Sequence, residues 1–196
     1  MSAVAEFINV TKKYGFDTVL ENISLRFCKD SPSVIMGESG KGKTTLLRLA
    51  AGLEKPTEGE VRTEGERVAY MFQEPRLLPW KNALDNVRAP LAKTEYHLAD
   101  KYLAATGLNP ETDGKKYPDE LSGGMQQRVA FARFLAYAEQ IDADLLLLDE
   151  PFSALDEETS EKMAVLLADF SKGKTLVAVS HDESDARLLG ANIVRI

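Results

Sequence analysis

The octapeptide Gly37-Glu38-Ser39-Gly40-Lys41-Gly42-Lys43-Thr44 fits the pattern G-x-x-x-x-G-K-[ST]. It stands between a short apolar run, Val34–Met36, and a helix-forming stretch, Thr44–Leu53. This order of strand, glycine-rich turn and helix constrains the chain more than any other feature. Glycines let successive backbone N–H groups curl around an anion, and the helix N-terminus adds a favourable dipole. In such a loop Lys43 reaches the β- and γ-phosphates of a nucleotide, and the Thr44 hydroxyl is suited to Mg²⁺. A glycine-rich turn before any helix would share some of these residues. Here all four fixed positions and both flanks agree.

Other segments repeat the alternation. Apolar runs at Val68–Phe72, Leu145–Leu148, Thr175–Val179 and Asn192–Ile196 read as strands, and Gly123–Ala138 and Glu157–Ser171 read as helices. Buried short runs between amphipathic helices predict an α/β fold with a mostly parallel sheet. The beginning differs. Glu6–Val10 and Ile23–Phe27 flank the turn Tyr14–Gly15, and Glu60–Val61 follows Pro56 and Gly59, which predicts an antiparallel flank. From Glu74 to Gly123 the chain holds five of its eight prolines and no strand pattern. It reads as a helical insertion, with one short helix capped by Thr94 and Gly107.

At 196 residues the chain is one domain, with a core large enough to need no disulfide. Acidic residues outnumber basic ones by 31 to 24, a net charge of -7, so no overall basic footprint for nucleic acid exists. The single cysteine, Cys28, suits a reducing compartment. No run approaches the ~20 apolar residues of a membrane span, and the N-terminus has no secretory pattern. The expectation is a soluble, cytoplasmic, acidic domain.

Two further clusters carry chemistry. Leu145–Leu148 leads into Asp149-Glu150, two carboxylates at the C-terminal end of a central strand, where open α/β sheets bind ligands. Asp149 is suited to a Mg²⁺ shell and Glu150 to polarising an attacking water. In Leu121-Ser122-Gly123-Gly124-Met125-Gln126-Gln127-Arg128, Ser122 can cap a helix whose first N–H groups Gly123 and Gly124 leave open. On physics alone, an ordinary capped helix start is the favoured reading of that segment.

Taken together, the glycine-rich loop, LSGGMQQR and LLLLDEPFSALD resemble the ATP-binding subunit of an ABC transporter, and the resemblance covers nearly the whole chain. It implies a P-loop NTPase core with an antiparallel β flank and a helical subdomain inserted at about residues 74–138. It also implies ATP and Mg²⁺ as cofactors. Gly37, Glu38, Ser39, Gly40, Lys41, Gly42, Lys43, Thr44 and Thr45 correspond to the residues that hold the nucleotide's phosphates. Tyr14 stands where the family stacks an aromatic on adenine, and Val19 where an apolar residue packs beside the base. Thr44, Gln73 and Asp149 match the family's Mg²⁺ set. Lys43, Gln73, Glu150 and His181 match its catalytic set. Ser122, Gly123 and Gly124 match the signature that meets the γ-phosphate of a partner subunit's ATP, and Ser153–Asp156 matches a loop that crosses the dimer. Singly, Tyr14 also reads as a surface turn residue, Gln73 as a solvated strand end and His181 as a hydrogen-bonded strand terminus. Their order and spacing around the loop favour the family roles.

The segment Gln73-Glu74-Pro75-Arg76-Leu77-Leu78-Pro79-Trp80, followed by Asp85-Asn86-Val87, is most similar to importers of nitrate, sulfonate, taurine and related small anions. The resemblance therefore implies an ATPase that powers solute import through a separate transmembrane permease. It would work as a homodimer on the inner face of the membrane, indirectly served by a solute-binding protein and without nucleic acid. An efflux or lipoprotein-release subunit, or a single-cassette ATPase with no permease, shares the same catalytic motifs and stays open at this point. Three departures stand out. Lys41 replaces a small residue, Glu139–Asp144 replaces a proline before the second motif, and the chain ends one strand after His181, where relatives continue into further helices.

Overall fold

The computed structural model describes residues 3–63 and 67–196. Among the described residues, eight strands form two sheets. The first is antiparallel, order β2-β1-β4, from β1 (Ala3–Tyr14), β2 (Asp17–Cys28) and β4 (Glu58–Thr63). A two-residue turn, Gly15-Phe16, joins β1 to β2, and Gly15 supplies the φ of +60° that such a hairpin needs.

The second sheet runs β5-β6-β7-β3-β8 and is parallel throughout. Its strands are β3 (Ser33–Met36), β5 (Val68–Met71), β6 (Leu145–Asp149), β7 (Thr175–Val179) and β8 (Asn192–Arg195). Alternate side chains of each strand enter different cores, as the period of two requires. Leu145 and Leu147 join Ile35, Val177 and Val179 beneath α1 (Lys43–Ala50) and the antiparallel sheet. Leu146 and Leu148 join Val34, Met36, Ala69 and Ala178 on the other face. A sheet covered on both sides needs apolar residues at every position, which is why β6 opens with four leucines.

Between β5 and β6 lies the helical insertion. It contains α2 (Ala83–Arg88), α3 (His97–Ala105) and α4 (Gly123–Gln140), with no strand among its residues. α5 (Glu157–Phe170) and α6 (Glu183–Leu188) complete the second sheet's cover. The fold class agrees with expectation, but two local details do not. Thr94 caps nothing: it lies inside a 3₁₀ turn, Lys93–Glu95, and α3 begins only at His97. Gly107 does end that helix, one residue past Thr106, with φ +77°. α2 was not expected at all, although Asn82 caps it by accepting a hydrogen bond from Asp85 N at 2.8 Å.

Candidate nucleotide site

Parallel strands deliver their C-terminal ends to one edge, and the order β5-β6-β7-β3 decides which loops become neighbours. Gln73 follows β5, Asp149 and Glu150 end β6, His181 follows β7, and Gly37 follows β3. With strands about 4.8 Å apart, residues spread over more than 140 positions of sequence are brought side by side.

Glu150 is where they meet. Gln73 Nε2 donates to Glu150 Oε2 at 3.1 Å, and His181 Nε2 lies 2.9 Å from Glu150 Oε1. Glu150 adopts φ +48°, a conformation that L-residues take rarely and that concentrates at functional sites. Its N–H donates to Val179 O and its carbonyl accepts from Ser153 Oγ, so the turn is held at both peptide groups.

Asp149 is different. It is only 2% exposed, and its Oδ1 is buried without a hydrogen-bond partner. Burial pushes its carboxyl above the usual range, and the Glu150 charge adds to that; a hydrogen bond from Thr44 and the charges of Arg48 and Lys43 oppose it. A buried carboxylate oxygen with no donor costs free energy unless a cation completes it. With the Thr44 side chain opposite, these oxygen donors fit a hard divalent ion such as Mg²⁺.

The glycine-rich loop closes the other side. Gly40 and Gly42 take φ of +82° and +88°. A Cβ on Gly42 would lie 2.7 Å from Leu20 Cδ2 and 2.9 Å from Val19 Cγ1, so the loop rests directly on β2. Lys43 is buried and donates to Gly37 O and Glu38 O, each at 2.8 Å, which folds its ammonium across the loop. Thr45 is buried two positions further, whereas Ser39 and Lys41 are exposed. Lys41 pairs with the Glu38 carboxylate at 3.9 Å, and its backbone N–H donates to Glu38 O at 3.3 Å.

Tyr14, at the end of β1, reaches the turn after α1: its hydroxyl donates to Glu54, and Lys12 Nζ lies 4.9 Å from the ring centroid. Burial and Glu54 raise its phenol above the ordinary range, while Thr45 pulls it back. Ser122 caps α4 by accepting from Met125 N at 3.2 Å. Gly124 packs near Ala154 O, and a Cβ on Gly123 would meet nothing within 4 Å. Among the described residues, Ser122–Gly124 form no hydrogen bond with Gly37–Thr44. The structure therefore joins Gln73, Glu150 and His181 directly, sets Lys43, Thr44 and Asp149 beside them, and leaves the Ser122 segment on its own exposed helix end.

A model of the ABC transporter family matches residues 20–153. The chain belongs to this family. Its relatives include the aliphatic sulfonates import ATP-binding protein SsuB 1 of Burkholderia lata, 41% identical over 194 residues, covering 95% of this chain and 59% of the relative. SsuB 2 of Xanthomonas axonopodis pv. citri is 41% identical over 194 residues, covering 94% of this chain and 65% of the relative. The chain thus spans about three-fifths of these relatives' length. Among solved structures, the dimeric post-hydrolysis state of the ATP-binding cassette MJ0796 bound to ADP and Pi is 33% identical with a TM-score of 0.86. That likeness covers 98% of this ABC chain and 94% of the other. The sulfonate importers agree with the resemblance drawn from Gln73 to Trp80.

Two residues near the site have structural roles that the sequence does not show, although Asn86 belongs to the Asp85-Asn86-Val87 segment of the importer resemblance. Asn86 is fully buried and binds Leu78 N, Leu78 O, Lys81 O and Asn82 O, which staples residues 78–82 to α2. Arg133, on α4, donates to Pro75 O at 2.5 Å and to Arg76 O at 3.1 Å. Its position in a helix explains why nothing marked it; only the fold brings it to the loop after Gln73.

Proposed function

We propose that this chain binds and hydrolyses ATP with Mg²⁺ and powers import of a small anion, of the sulfonate, nitrate or taurine kind, through a separate membrane permease. The observation that carries the reading is the junction of Gln73 and His181 on the two oxygens of Glu150, beside the orphaned oxygen of Asp149. In this reading the backbone of Gly37–Thr44 cradles the phosphates, Thr45 supports the first helical turn, and Tyr14 and Val19 receive the base. Lys43 leaves its two carbonyls to neutralise β- and γ-phosphate oxygens. Asp149, Thr44 and Gln73 would hold Mg²⁺, which when bound supplies charge to the same oxygens. Glu150 accepts a proton from the attacking water, while Gln73 and His181 orient its carboxylate. Ser122, Gly123 and Gly124 face a second copy's ATP in a homodimer. The chain acts as one domain with a helical subdomain at about 74–138, on the inner membrane face, downstream of a solute-binding protein.

The test of nucleotide handling is Lys43→Ala. Losing an ammonium that makes charge-assisted bonds should weaken ATP affinity about ten- to hundredfold, measured by calorimetry with Mg²⁺. Unchanged affinity would mean that the loop holds no phosphate.

The permease arm rests on the surface after Gln73. Trp80 is 71% exposed and Leu77 and Leu78 are half-buried. Asn86 makes this loop stiff enough to pass on movement at Gln73. A nearby groove of about 310 Å³, lined by Phe72, Pro90, Phe134 and Tyr137 together with the charged Glu74, Arg76 and Arg133, suits an amphipathic helix of the permease. Leu78→Ala with Trp80→Ala should reduce the membrane-bound fraction of the chain about tenfold while ATP affinity holds. Loss of thermal stability and ATP binding together would assign both side chains to the interior instead.

A further inference from the structure

Arg133 stands on the half-buried face of α4, pointing a cation at backbone rather than at an anion. Its side chain is half-buried at the edge of the groove lined by Phe134 and Tyr137, and among the described residues no carboxylate lies within salt-bridge distance of it. Burial alone holds its pKa below the usual guanidinium range. A desolvated cation without an anion is unfavourable, and an aliphatic side chain of similar volume would pack the same space at lower cost. What an aliphatic residue could not do is bind two consecutive carbonyls with fixed geometry, as the guanidinium fork does.

Those carbonyls belong to Pro75 and Arg76, two and three residues after Gln73. Between them and Gln73 the chain has little freedom. Pro75 restricts the backbone, Arg76 takes φ +46°, and the Arg76 guanidinium stacks 4.1 Å from the Phe72 ring centroid. On the other side Arg133 lies within α4, which Ser122 caps and Gly123 and Gly124 begin. Eleven residues of helix separate Ser122 from Arg133, about 16 Å of stiff rod at 1.5 Å per residue.

We propose that Arg133 is a positioning residue which ties the Gln73 loop to α4, so that displacement of Ser122–Gly124 shifts Gln73 against Glu150. Arg133 touches no reacting atom. It fixes the distance between the element that faces a partner's nucleotide and the amide that contacts the Glu150 carboxylate at 3.1 Å. The catalytic part of this inference rests on the ATPase reading above. The tether itself does not.

The experiment compares wild type, Arg133→Met and Arg133→Lys in the full chain. Met keeps most of the volume and removes every donor; Lys keeps charge and one point of contact. In the nucleotide-free protein, amide exchange at residues 76–78 should rise in Arg133→Met while exchange in β5 and β6 stays as in wild type. With ATP, kcat should fall about ten- to hundredfold, the cost of a misplaced group of about 1 Å, with KM and melting temperature unchanged. Arg133→Lys should recover part of both effects. If Arg133→Met exchanges and turns over like wild type, the tether is wrong. If it loses stability, ATP affinity and turnover together and Lys restores none of them, Arg133 is merely structural and the proposal fails. A wild type without turnover would overturn the ATPase reading, while the exchange at residues 76–78 would still decide the tether.

Discussion

Glu150→Gln is expected to abolish most ATP turnover, by about 10²–10⁴-fold, while leaving nucleotide affinity within a factor of about two. The substitution is nearly isosteric, and that matters at this position. Glu150 sits at φ +48° with its backbone held by Val179 and Ser153, so a smaller or branched residue would disturb the turn as well as the chemistry. Glutamine preserves an oxygen for the Gln73 amide and an NH₂ for His181, so the junction survives. What disappears is the capacity to take a proton. Asp149 cannot stand in, because its carboxylate is buried at the end of β6 and faces Thr44. Phosphate release, measured beside equilibrium binding of ATP, separates the two effects. A variant that hydrolyses at the wild-type rate would assign the base elsewhere. One that loses affinity in proportion would make Glu150 a binding residue.

The α/β alternation was readable because the parallel sheet is covered on both faces. Every position of Leu145–Leu148 had to be apolar, so that run was plain in the sequence. The glycine-rich loop was plain for a similar reason: Gly42 packs too tightly on Val19 and Leu20 to admit a side chain. Local chemistry with few alternatives leaves a strong trace. The helical insertion left a weaker one. α2 has six residues and lies among prolines, so its periodicity is too short to register, and its only signal was Asn82 with Asp85 three residues on. Thr94 misled because a 3₁₀ turn can carry the same capping residues as an α-helix, and tertiary packing decided where α3 began. The meeting of Gln73, Glu150 and His181 follows from strand order, which no single segment encodes; resemblance supplied it before geometry did. Arg133 and Asn86 show the limit most clearly. Both bind backbone carbonyls, and a carbonyl has no identity in a sequence.

Ser122→Arg should prevent the ATP-dependent dimer altogether. Each chain carries a net charge of -7, so two free chains repel and the protein without nucleotide should sediment as a monomer of 21.6 kDa. ATP changes that balance if its phosphates are shared between one chain's loop and the other chain's α4 N-terminus. The end of that 18-residue helix suits a shared phosphate, because Ser122 and Gly123 are exposed and the helix dipole favours an anion there. Hydrolysis would dissolve such a bridge, so the Glu150→Gln background with Mg²⁺ and ATP is where it should accumulate at twice the monomer mass. An arginine at Ser122 fills the space the phosphate must enter. It also removes the cap on Met125 N, which costs about 1 kcal/mol of helix stability. Ser122→Ala separates these contributions, since it removes the cap without adding bulk. Alanine should weaken the dimer modestly, and arginine should leave only monomer with each chain's own ATP affinity intact. A dimer that forms without ATP and survives the arginine would place the interface on another face, and Ser122–Gly124 would then be no more than a capped helix start.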